Sequence, residues 1–141
     1  MCMVVYIASK SPLPLIPWHK DSPALNVTEL TSREEPVRDY LTLPHVCQVG
    51  SHTCCGCGFN EGREHPEACE DPADERADAL RSAAQLADYI RMHGVEQLYA
   101  CWSGDECQPK NFERLVTPET LMACDFFFRP RELLIVNRAG A

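Results

Sequence analysis

The sequence predicts an α+β fold: a mixed sheet of four to five strands, covered on one face by one long helix (residues 72–93), with a long Cys/Gly-rich loop. Three observations predict it. Short β-branched and aromatic runs recur at residues 2–8, 45–50 and 95–102. A single segment carries a sustained 3.6-residue apolar period. Between the second run and that segment, Gly50 to Glu70 has no period and is rich in glycine, cysteine and charge.

The elements follow in order. Val4, Val5, Tyr6 and Ile7 suit a buried strand. Pro12, Pro14, Pro17 and Pro23 keep the next stretch extended or looped, because proline withholds a donor and restricts its predecessor. Leu15 and Trp18 are expected to pin it to the core. Asn26 to Leu30 reads as a short strand. Ser32 and Glu35 match a capping box for a short helix to Leu41, with Pro36 in its first turn. Pro44 introduces the strand His45–Gly50, in which His45, Cys47 and Val49 share a face.

The long helix has Asp71 as N-cap, Pro72 at its first position and Gly94 just past its end. Ala73, Ala77, Leu80, Ala84, Ala87 and Ile90 form its expected apolar stripe, and His93 complements the negative helix end. Val95–Trp102 reads as a strand that returns parallel to His45–Gly50 through the helix. Thr117 and Pro118 start a short helix through Met122. Residues 125–128 and 133–137 are expected to make a final antiparallel hairpin. The whole chain, residues 1–141, reads as a single domain.

Composition narrows the function. At 45% hydrophobic and 24% charged residues, the chain is ordinary for a globular domain. It has no run long enough for a membrane helix and no leader-like start, which points to a cytoplasmic protein. Net charge is −8. From Glu61 to Asp78, eight carboxylates against two arginines, Arg63 and Arg76, leave −6. Such a surface repels phosphate, so no nucleic-acid partner is expected. Nine cysteines without an export signal, odd in number and unevenly spaced, are expected to stay reduced. The protein or small-molecule partner is not legible in these residues.

The chemistry concentrates between His45 and Cys69. Cys54 and Cys57 stand as Cys-x-x-Cys with Gly56 and Gly58 interleaved, a spacing that lets two sulfurs converge from a tight turn. Zinc wants four tetrahedral donors. His65 and Cys69 from the loop, or His45, Cys47 or His52 from the strand, are the candidates to complete such a site. Residues 54–58 resemble the cysteine knuckle of zinc ribbons and rubredoxins. The resemblance covers five residues, and the second Cys-x-x-Cys of a ribbon is missing, since Cys101 and Cys107 have five residues between them.

The expectation is therefore a zinc-stabilised binding or regulatory protein. A second reading is a thiol-dependent redox protein or enzyme using Cys55 and Cys57, whose mutual disulfide would close a small strained ring, or Cys101 at a strand end. A third is a metal-free interaction or scaffold domain, with a homodimer contact through an exposed phenylalanine of Phe126–Phe128.

Overall fold

The computed structural model describes residues 2–64 and 74–137. They form six strands: β1 (Met3–Ser9), β2 (Asn26–Glu29), β3 (His45–Gly50), β4 (Val95–Trp102), β5 (Phe112–Val116) and β6 (Glu132–Val136). Two α-helices, α1 (Asp74–His93) and α2 (Pro118–Leu121), and two 3-10 turns, Glu35–Asp39 and Gly56–Phe59, accompany them. The strands make one mixed sheet in the order β2-β3-β1-β4-β6-β5, antiparallel except for β5 beside β6.

The first strand is the seam of the molecule. Every residue of β1 is buried. Met3, Val5 and Ile7 face the core under α1, with Val49, Leu86, Ile90, Leu98 and Ala100. Val4, Tyr6 and Ala8 face a second core with Val37, Leu41, Tyr99 and Cys101. A strand buried on both faces reads as an unbroken apolar run, which is what residues 3–8 show. Each fully buried aliphatic side chain contributes about 1.5–3 kcal/mol relative to exposure. The helix thus covers one face, and the segment around the Glu35–Asp39 turn covers the other.

Polar groups fasten that second face. The Tyr6 hydroxyl lies 2.8 Å from Glu34 Oε2 and 3.1 Å from Glu106 Oε2. Burial, then the hydrogen bond and charge of Glu34, hold this phenol protonated far above its ordinary value.

Several expectations change. The strands β3 and β4 do run parallel, but β1 lies between them, so the crossover skips a strand. The C-terminal hairpin is absent: residues 125–128 form no strand, and β6 pairs with β4 and β5 instead. Phe126 and Phe128 are nonetheless buried in the core under α1, while Phe127 between them is half-buried. Phe112–Val116 is a strand that its largely exposed side chains do not announce.

The capping box at Ser32 does not form. Glu34 instead accepts from the Thr31 N–H at 2.9 Å, and the turn is 3-10 with Pro36 at its start. Trp18 does pin the proline-rich segment, donating to His52 O at 3.0 Å, whereas Leu15 is exposed. The buried stripe of α1 runs through Ala79, Ala83, Leu86 and Ile90, and Ala77 is exposed. Small alanines tolerate either face, so the larger Leu86, Tyr89 and Ile90 set the rotation. Asp71, Pro72 and Ala73 lie outside the described residues. Gly94, at φ 72°, ends the helix as expected, its N–H donating to Ile90 O at 3.0 Å.

Arg63, counted in sequence as a surface charge, is 1% exposed. Its guanidinium donates to the carbonyls of Phe59, Leu121 and Ala123, tying the cysteine-rich segment to the end of α2. Burial lowers its pKa to about 10, with Asp125 pulling the other way.

Candidate metal centre

The chain leaves β3 at Gly50 and turns back sharply. The Ser51 N–H donates to Cys55 O at 2.9 Å, the Ser51 hydroxyl to the same carbonyl at 2.6 Å, and the Cys54 N–H to Ser51 O at 3.0 Å. Cys54 sits in this turn at φ 78°, in the left-handed region. Gly56 then presses on β1. A Cβ there would stand 2.9 Å from both Met3 O and Val5 Cγ2. Gly58 is equally confined, since its Cβ would meet Ser51 Oγ at 2.2 Å. Neither glycine has positive φ, so both are needed for space and not for the dihedral freedom expected from sequence.

The close approach of Gly56 to Met3 brings its two neighbours to the start of β1. The sulfurs of Cys2, Cys55 and Cys57 all lie within 4.8 Å of one another. Zinc–sulfur bonds of about 2.3 Å set tetrahedral sulfurs roughly 3.8 Å apart, so small side-chain rotations suffice to close the trio on one ion. Among the described residues this is the one group of three or more His, Cys, Asp or Glu donors that meets so closely. Cys2 is exposed, while Cys55 and Cys57 are half-buried.

The surroundings of the two turn thiols differ. The Met3 N–H donates to Cys57 Sγ at 3.2 Å, and Thr53 Oγ1 lies 3.6 Å from Cys55 Sγ. Burial pushes the Cys55 thiol up, but contacts with Thr53, the Cys57 backbone, and the Cys57 and Cys2 thiols outweigh it and lower the pKa overall. Burial raises the Cys57 thiol, with the Met3 N–H only partly compensating.

Of the donors nominated from sequence, Cys57 joins the trio. Cys54 is exposed and outside it. His52 is engaged elsewhere: its Nδ1 lies 2.8 Å from Ser82 Oγ on α1, and its Nε2 3.6 Å from Glu61 Oε2. Cys47 is buried in the core under α1, its pKa raised by burial and by Glu29. His45 pairs with Ser9 at the opposite end of β3 from the trio. His65 and Cys69 lie outside the described residues, as do Glu67, Glu70 and Asp71 of the acidic stretch.

Cys101, the alternative nucleophile, is fully buried beside Glu106. Burial, then Glu106 and Asp105, push its pKa up to about 12, so it stays protonated at neutral pH. Cys124 is disulfide-bonded, against the expectation of uniformly reduced thiols.

Sequence reasoning missed Cys2. The signal was there in the pairing of β1 with β3. Antiparallel register sets Val5 against Val49 and Ile7 against Cys47, and its continuation sets Cys2 against His52, at the mouth of the cysteine turn. Assigning β4 as the neighbour of β3 hid that juxtaposition.

No family model, curated protein or solved structure matches this chain. No helix among the described residues is long and apolar enough to cross a membrane. On its geometry the protein is a small domain with a cysteine cluster capable of coordinating a metal ion.

Proposed function

We propose that this protein is a zinc-binding domain in which Cys2, Cys55 and Cys57 hold the ion and so tie the start of β1 to the cysteine-rich turn. One observation carries the reading: three sulfurs from two segments more than fifty residues apart converge within 4.8 Å. Thiolates favour soft or borderline ions, of which zinc is the redox-inert choice. A fourth donor, such as water, completes the tetrahedron. The hydrophobic cores are complete on both sheet faces without a metal, so the ion secures a local segment and is not a condition of folding. That pattern suits a binding or regulatory protein.

Elemental analysis of tag-free protein, with cobalt substitution, tests this. Stoichiometric zinc and an intense sulfur-to-cobalt charge-transfer band are expected. The double substitution Cys55→Ser, Cys57→Ser abolishes both, whereas Cys107→Ser, at an exposed position outside the trio, retains them. Purified protein with neither zinc nor cobalt affinity ends the reading. Because the cores do not need the ion, chelation is expected to leave the far-ultraviolet circular dichroism spectrum unchanged.

A further inference from the structure

The three sulfurs are close enough to react with one another as well as to share an ion. All three sulfurs lie within 4.8 Å of one another, and that of Cys55 is within reach of both Cys57 and Cys2. Two disulfides are therefore open to it. The link to Cys57 closes a ring across a single intervening residue, and such rings are strained and easily reduced. The link to Cys2 joins two separate segments and carries no small-ring constraint. Cys2 is also exposed, which leaves its side chain room to turn toward Cys55, whereas Cys57 packs against the core and receives the Met3 N–H.

We propose that peroxide oxidation joins Cys2 to Cys55 as a disulfide and thereby expels the metal, making the centre a redox-released zinc site. The release step rests on the zinc reading above; the disulfide step does not. The chemistry balances with hydrogen peroxide as the named oxidant. The Cys55 thiolate attacks one peroxide oxygen and the O–O bond breaks; the departing hydroxide takes up the proton the thiol gave up, so one water leaves and Cys55 becomes a sulfenic acid. The Cys2 sulfur then attacks that sulfur, an S–S bond replaces the S–O bond, and a second water leaves. In total two thiols are oxidised by two electrons and one peroxide is reduced to two waters. The ion loses two of its three protein sulfurs, and Cys57 alone cannot retain it.

The test uses the full chain, zinc-loaded and zinc-free, treated with equimolar hydrogen peroxide in the presence of a chromogenic zinc chelator. One zinc released per peroxide is expected, with loss of two hydrogens in intact mass. Non-reducing tryptic digestion should link the peptide ending at Lys10 to the peptide ending at Arg63, with fragmentation placing the bond between Cys2 and Cys55. A dithiol reductant should restore zinc binding. Crosslinking of Cys57 to Cys55 or to Cys2, sulfinic or sulfonic acid at an uncrosslinked Cys55, or disulfide formation with zinc retained would each overturn the proposal. The zinc-free arm separates the two readings. A Cys2–Cys55 crosslink in protein that never binds zinc sinks the metal reading and the release with it, while zinc that binds but survives peroxide sinks this inference alone.

Discussion

Cys54 and Cys57 carry the Cys-x-x-Cys spacing, yet the structure exchanges Cys54 for its neighbour. At φ 78° Cys54 occupies a conformation that costs an ordinary L-residue about 1–2 kcal/mol, so its role is to close the turn. Glycine at this position relieves that cost but adds roughly 0.5–1 kcal/mol of unfolded-state entropy. Cys54→Gly is therefore expected to raise stability by at most about 1.5 kcal/mol and to leave zinc stoichiometry intact. Cys57→Ser removes a sulfur donor and weakens zinc binding at least tenfold, a loss of about 1.4 kcal/mol or more. Urea denaturation and competitive metal titration of the two variants check both statements. If the spacing were the true ligand pair, the two substitutions would damage zinc binding alike.

The cysteine turn works as an element because it lies directly on β1. Gly56 is the contact point, with no room for a side chain between Met3 O and Val5 Cγ2. Gly56→Ala must push the turn away from the strand or distort β1, which is buried throughout. Overpacking of this kind costs about 1–3 kcal/mol. The same displacement separates Cys55 and Cys57 from Cys2, so zinc affinity is expected to fall together with stability. Chemical denaturation with and without a saturating chelator measures the two effects separately. A variant that loses stability but keeps wild-type zinc affinity would show that the turn need not touch β1 to bind.

At the scale of the whole molecule, burial of titratable groups on both sheet faces makes stability depend on alkaline pH. The Cys101 thiol moves from an ordinary 9.0 to about 12 and the Tyr89 phenol from 10.0 to about 12, each chiefly through burial. Raised values mean that the folded state holds protons the unfolded state releases. The resulting stabilisation is fully present below about pH 9 and is lost as pH rises through about 12. Denaturant midpoints at pH 8, 9.5 and 11 should therefore fall progressively. Cys101→Ala lowers stability at pH 8, since it opens a small cavity, but the decline from pH 9 to 11 should be shallower than in the wild type. An unchanged slope would show that Cys101 does not supply the linkage. The same burial makes Cys101 the slowest of the described free thiols to alkylate at neutral pH.

Local patterns were legible in the chain. The buried apolar run of β1, the presence of one long helix, the Gly94 stop and the Thr117–Pro118 helix start are consequences of neighbouring residues, and each appears where expected. The concentration of reactive thiols after β3 was equally plain. What the tertiary structure decided was adjacency: that β1 and not β4 borders β3, that Arg63 turns inward to hold three carbonyls, and that Cys2 completes the trio. Those outcomes depend on strand order and on space at Gly56, which arise when distant segments pack. Residue spacing along the chain carries neither, because contacts between segments more than fifty residues apart leave no periodic trace.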